Sequence, residues 1–370
     1  MRPFEISVSD AVLADLNARL RGARMLPDSP RRPPGGLSSA YLAELVDTWR
    51  AFDWRRRESD LNRHPQFTAD VHGTRLHFVH RRSQDPNAPV LLIMHGWPHT
   101  FALQLDFADR LQDFHVVVPS FPGFAFSDPY DGTMTENVMA DLMHALMTDV
   151  LGYQRYLVYG EDISANVSDL IASEHPEHVA GILVTHAHFG TDAEREALDD
   201  AEARAFFDRL AATGGPDGAY GHVQATRPDT LAVALNDSPV GLLAWLAEKL
   251  VEWSDTPADE PAAVERRVSR ERILTEATIY WATQTIASSF RPYFDRGADA
   301  SIAPVDVPAV VAIQRHEHDY PEVLARRFYR DLRSFERLDE GGHFAAAEVP
   351  EALAARARVL ARQAGLVKSS

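Results

Sequence analysis

The sequence predicts an α/β architecture with a mostly parallel central sheet, a helical insertion acting as a lid, and an N-terminal extension. Three observations point to it. Short apolar runs alternate with helical stretches over much of the chain, the pattern of a right-handed α/β sheet. Two of those runs, "VLLIM" and "HVVVP", are apolar on both faces, as strands of a parallel sheet covered by helices should be. Between about residues 190 and 300 the strands stop and only helical patterning remains, before strand and helix resume.

Residues 1–85 read as the extension. "SVSDAVLADLNARL" carries an N-cap candidate, Ser9, and a stripe of Val12, Leu13, Leu16 and Leu20, which suits an amphipathic helix. "SPRRPPGG" breaks the chain, and "SSAYLAELVDTWRAF" starts a second helix before the strand "TRLHFVHRR". Residues 86–190 form the first part of the core. Its strands are "PVLLIMHG", "FHVVVPSF", "RYLVYGE" and "VAGILVTHAHF", with helices at "TENVMADLMHALMTDVL" and "SANVSDLIASEH". Residues 191–300 are the lid, with helices at "DAEREALDDAEARAFFDRLAA", "SPVGLLAWLAEKLVEW" and "RERILTEATIYWATQTIASSF". Residues 301–370 complete the core through "VPAVVAIQ", a helix, "RSFERLDEGGH" and the closing helix "PEALAARARVLARQAG".

Composition narrows the function. The formal net charge of −17 argues against nucleic acid and anionic membrane surfaces as partners, since both call for basic patches. No run of about 18 apolar residues occurs, and "MRPFEISVSD" lacks the apolar core of a signal peptide. With no cysteine, disulfides, a thiolate nucleophile and cysteine-bound metal are excluded. The expectation is a soluble, cytoplasmic, small-molecule enzyme, with a second copy of the chain as a candidate partner.

The chemistry is concentrated at "LVYGEDISANVSDLI", a strand, a small-residue turn and a helix. Enzymes that set a nucleophile on such a turn commonly use serine within Gly-x-Ser-x-Gly, a motif absent from this chain. Here the tip is Asp162. A carboxylate held against an electrophilic carbon forms an ester, and hydrolysis of that ester needs a histidine to activate water and an acid to orient it. The order nucleophile, acid, histidine points downstream. "AIQRHEHDYPE" offers Glu317, with Asp319 as runner-up, and "DEGGHFAAAEVPE" offers His343. The amides of Trp97, in "MHGWPHT", and of Ile163 are the candidates for an oxyanion hole. Each motif alone has an ordinary structural explanation; their conjunction at strand ends, in this order, points to catalysis.

With these motifs in hand, the chain resembles the microsomal-type epoxide hydrolases, the branch of the α/β-hydrolase superfamily with an N-terminal extension. The likeness runs nearly full length. It shows in "FDWRRRESDLNRHPQF", "GTRLHFVHRRS", "HGWP", "PSFPGFAFSDP", "GEDIS" and "GGHFAAAEVPE", and above all in "YGHVQATRPDTLAVALNDSPVGLLAWLAEKLVEWSD" of the lid. The resemblance implies an α/β-hydrolase fold. It also implies two lid tyrosines that hydrogen-bond the epoxide oxygen, matching Tyr220 and Tyr293, with Tyr280 as the competing choice. It implies conversion of an epoxide and water to a vicinal diol without metal or organic cofactor, in detoxification or in natural-product pathways. Three positions depart from the family pattern: Ile163 stands where tryptophan is common, His99-Thr100 where Gly-Ser follows "HGWP", and Gln314-Arg315 where Phe-Pro precedes the acid. The rival readings are a haloalkane dehalogenase, which shares the aspartate and histidine, and a non-catalytic binding protein on the same scaffold.

Overall fold

The computed structural model describes residues 1–28, 36–257, 259–296 and 301–367. The break read at "SPRRPPGG" lies, apart from Gly36, outside the described residues. Nine strands form one sheet: β1 (Arg2–Phe4), β2 (Gln66–Val71), β3 (Thr74–Arg81), β4 (Val90–Met94), β5 (His115–Pro119), β6 (Tyr156–Gly160), β7 (Val179–Val184), β8 (Ala309–Ile313) and β9 (Leu332–Arg337). Their order across the sheet is β1-β2-β3-β5-β4-β6-β7-β8-β9. The pairs from β1 to β5 are antiparallel, and every pair from β5 to β9 is parallel.

Strands β4 to β8 are buried at every residue, which explains why their sequences are apolar on both faces. Alternate residues feed opposite sides of the sheet: Leu92 and Met94 join one core, Leu91 and Ile93 the other. Because β4 and β6 to β9 run the same way, the loops after them meet along one edge. In such sheets ligands bind beyond the carboxyl ends of the strands.

Helices of the first 85 residues brace the lid. The helix Asp10–Arg21 is capped by Ser9, whose hydroxyl accepts from the Val12 amide, and Arg19 reaches Asp237 at 2.7 Å. From the helix Ser39–Arg50, Trp49 donates its indole N–H to Thr278 at 2.9 Å. No single helix among the described residues is long and apolar enough to cross a membrane.

The acid-rich stretch read as one lid helix is two, Asp192–Glu196 and Ala201–Asp217. The Asp200 carboxylate accepts from the Ala203 amide at 2.9 Å and so starts the second, a local option that competes with continuing the first. Likewise "RERILTEATIYWATQTIASSF" ends its long helix at Thr283, where Gln284 turns left-handed at φ 55°, and resumes as short helices. The lid also holds the helices Ala219–Thr226, Pro228–Asp237 and Pro239–Trp253.

Candidate active site

Strand β6 ends at Gly160 and the helix Ile163–Glu174 begins three residues on, with Asp162 at φ 56° and ψ −132° between them. A non-glycine residue held there is strained, and such strain persists where the surroundings over-determine it. Two glycines allow the close approach. A Cβ on Gly160 would overlap the Ser164 carbonyl, and one on Gly96 would overlap the Asp162 carboxylate. With nothing at position 96, the Trp97 amide donates to Asp162 Oδ1 at 2.8 Å, and the Ile163 amide also hydrogen-bonds the carboxylate.

Asp162 Oδ2 faces His343 Nε2 at 3.3 Å, and His343 Nδ1 lies 3.1 Å from Glu317 Oε2. Asp319, the runner-up acid, is exposed and pairs with Arg337 at 2.7 Å. The His343 loop is fastened at each residue. The Gly341 amide donates to Asp255 at 3.0 Å, the His343 amide to the Trp253 carbonyl at 2.8 Å, and the Gly342 and Phe344 amides to Glu348, each at 3.1 Å. Glu348 also accepts from the Asp255 amide at 2.8 Å, while burial pushes its pKa up to about 7.

Charge settles around the histidine. Burial alone would push the His343 imidazole down, but the hydrogen bonds and charges of Asp162 and Glu317 outweigh it and lift its pKa to about 10. For Asp162 burial acts upward, yet His343 and the two amides hold it below the usual carboxylate range. Glu317 lies well below that range, because His186 and His343 outweigh its burial. Asp162 and Glu317 therefore rest as carboxylates against the protonated imidazole of His343.

Tyr220, Tyr293, Asp162, Ile163, Glu317 and His343 line one cavity of about 580 Å³. The two tyrosine rings stand 5.9 Å apart and their hydroxyls hydrogen-bond each other. Burial first, and then the Asp162 charge, push both phenols up, so each keeps its proton as a donor. Tyr280, the competing tyrosine, is fully buried in the helix Arg270–Thr283 and is not a lining residue. Trp97 contributes only backbone: its ring is fully buried and stacks on Tyr220 at 5.3 Å.

Two residues not singled out from the sequence belong to the site. His186 follows β7, and its Nε2 lies 3.1 Å from His343 Nδ1 and 3.3 Å from Glu317 Oε2. Its position at a strand end in "VTHAHF" was the available signal. Donor atoms of His186, Glu317 and His343 lie within 4.8 Å of one another, a grouping a metal ion accepts, though here each is met by another of the three. Glu161 is fully buried beneath the turn. It meets His99 at 3.0 Å, Gln104 at 2.7 Å, the Tyr159 hydroxyl at 2.7 Å and the Ala346 amide at 3.1 Å. Burial raises its pKa, but these partners, His99 foremost, bring it down to about 2. His99, one of the departures from the family pattern, thus packs under the turn.

Comparison with known proteins gives a consistent picture. Residues 1–103 match the family described as epoxide hydrolase N terminus, and residues 89–348 match the alpha/beta hydrolase fold. The chain is similar to a putative epoxide hydrolase of Stigmatella aurantiaca, 34% identical over 98% of this chain and 84% of the relative. It is similar to epoxide hydrolase 1 of Oryctolagus cuniculus, 32% identical over 100% of this chain and 89% of the relative. The crystal structure of juvenile hormone epoxide hydrolase from the silkworm Bombyx mori superposes with a TM-score of 0.86 at 26% identity, over 100% of this chain and 95% of that one.

Proposed function

The chain belongs to the epoxide hydrolases of the α/β-hydrolase fold, and we propose that it converts an epoxide and water to a vicinal diol through an ester on Asp162. The observation that carries this reading is the division of the Asp162 carboxylate. Oδ1 is held by a backbone amide while Oδ2 faces His343 in a cavity roofed by two tyrosines.

In the first step Asp162 Oδ2 attacks an epoxide carbon, and the C–O bond of the ring breaks. The phenols of Tyr220 and Tyr293 donate to the developing alkoxide, which stays on the substrate as the hydroxyl of the ester intermediate, and the proton it takes up is matched by the one that the His343 imidazolium gives up. Once Asp162 is a neutral ester, the strongest influence holding the imidazole protonated is gone, so its pKa falls and it becomes a base. In the second step neutral His343 takes a proton from water while the hydroxide attacks the Asp162 carbonyl carbon. The amides of Trp97 and Ile163 stabilise the oxyanion at Oδ1, and cleavage releases the diol with Asp162 ionised and His343 protonated again. Glu317 orients the imidazole and, with His186, fixes the ring position.

No observation favours a dehalogenase. A leaving halide calls for N–H donors in the cavity; Ile163 supplies none from its side chain, and Trp97, fully buried, is not among the residues that line it. The test is one turnover of enzyme in excess over an aryl epoxide in heavy-oxygen water. The new diol hydroxyl should carry enzyme oxygen and the label should appear on Asp162. Label in the first-turnover diol would mean direct attack by water.

A further inference from the structure

Lys249 is only 5% exposed, yet it carries a charge into the interior of the lid. It lies on the helix Pro239–Trp253, one turn before Trp253. Its ammonium stands over the Tyr220 ring, 5.4 Å from the ring centre, and 5.8 Å from the centre of the Trp253 ring. Aromatic neighbours fix the tyrosine in that setting. Trp97 stacks on it at 5.3 Å with 13° between the planes, and Trp253 meets it edge-on at 5.0 Å.

A lysine at this depth is costly. A hydrocarbon side chain would fill the place without taking an ammonium out of water. Two carboxylates offset the cost, Glu252 at 2.6 Å and Glu248 at 2.8 Å. Burial pushes the lysine pKa down, but the hydrogen bonds from these two partners outweigh it and keep the group protonated. The carboxylates are 43% and 24% exposed, so water screens their outward side. Inward, the ammonium faces the two rings. A cation within about 6 Å of a ring centre is attracted to the electron-rich face, and more strongly where water is excluded. Arg296 is a second cation whose charge reaches the Tyr220 hydroxyl.

We propose that Lys249 is a positioning residue for the first step: its ammonium strengthens Tyr220 as a donor to the epoxide oxygen. As the phenol O–H donates to the developing alkoxide, electron density shifts onto the phenol oxygen and its ring. A cation over that ring stabilises the shift, and does so most in the transition state. Lys249 does not line the catalytic cavity, so it acts through the ring and not on the substrate. Hydrolysis of the ester makes no such demand on Tyr220. This rests on the catalytic reading above, in which Tyr220 holds the epoxide oxygen.

The test is rapid quench with styrene oxide, which reads ester formation and ester hydrolysis separately in the full-length enzyme. Lys249→Met keeps the bulk and removes the charge, and Lys249→Arg keeps the charge. Methionine should slow ester formation by about tenfold while leaving hydrolysis within about twofold, and arginine should recover most of the loss. The same methionine change in a Tyr220→Phe background should cost less than about twofold, because the ring then carries no donor to strengthen. Lys249→Gln repeats each measurement should the methionine variant not fold. Ester formation within about twofold of wild type in the methionine or glutamine variant would overturn the proposal. So would arginine no better than methionine, an equal loss in both steps, or the full loss persisting in Tyr220→Phe, since each would make Lys249 a packing residue. A wild-type enzyme that formed no ester would take down the catalytic reading first, and this one with it.

Discussion

His343 Nε2 stands 3.3 Å from Asp162 Oδ2, on the oxygen that the Trp97 amide leaves free. In the proposed cycle the pair divides the work between making an ester and breaking it. Asp162→Ala should abolish diol formation, since no other nucleophile occupies the turn. His343→Gln should still react once, and mass spectrometry should find a substrate-mass adduct on Asp162. An inactive His343→Gln protein without adduct would show that the histidine acts before the ester forms.

The same pair predicts a pH signature. The imidazole sits near pKa 10 with Asp162 ionised, and Asp162→Asn imitates the neutral ester. NMR titration of that variant should find the His343 pKa lower by at least about one unit. Stability should follow. Because the folded pKa exceeds the unfolded value of about 6.5, the contribution is fully present below that pH and is lost as pH rises toward 10. Wild-type unfolding midpoints should fall across this window more steeply than those of Asp162→Asn; equal slopes would mean that the coupling is absent.

Tyr220→Phe and Tyr293→Phe should each slow alkylation by about 10²–10³, the usual cost of one preorganised donor. Ester hydrolysis, followed by rapid quench, should change little. A double phenylalanine variant that opened epoxides at near wild-type rate would remove the tyrosines from the mechanism.

Glu317→Gln should slow hydrolysis of the ester, because the imidazole loses the anion at Nδ1. Asp319→Asn should leave turnover within about twofold, since an exposed ion pair such as that with Arg337 contributes little. The reverse ranking would move the acid to position 319.

Glu348→Gln should slow ester hydrolysis more than alkylation, because glutamine cannot accept from all the amides that Glu348 gathers around His343. An unpaired buried amide costs about 1–3 kcal/mol, so thermal stability should drop as well. The wild-type carboxyl pKa is raised from about 4.5 to about 7, so wild type gains stability as pH falls from about 8 to 6 and glutamine does not, and the gap in thermal stability should widen over that range. A gap independent of pH would place the effect elsewhere.

The buried strands were legible because both faces meet helices, so their sequences are apolar on both faces. β1 and β2 were not. β1 has three residues, and β2, "QFTADV", places Gln66 and Thr68 inward, where Gln66 is satisfied by the Leu61 carbonyl and His77. That burial is local hydrogen bonding, invisible to a hydrophobic pattern. Asp162, Glu317 and His343 were readable because chain order and strand ends constrain them. Tyr220 and Tyr293 came from resemblance, since only the folded lid brings them together. His186 carried the same strand-end signal as His343 but sits in a run of apolar sequence without flanking glycines, so nothing marked it as a turn residue.

The loop that presents His343 is tied by its backbone to Trp253 and Asp255, at the end of the lid helix Pro239–Trp253. Trp253 also packs on Tyr220 at 5.0 Å and on His343 at 4.9 Å. A lid movement that lifted Trp253 would have to break these bonds or carry the loop with it, and either course withdraws Nε2 from Asp162. Opening and hydrolysis are then mutually exclusive, like the two positions of an interlock. On the proposed mechanism such wiring would confine cleavage of the ester to a shut door, since the door could not swing without disarming the base.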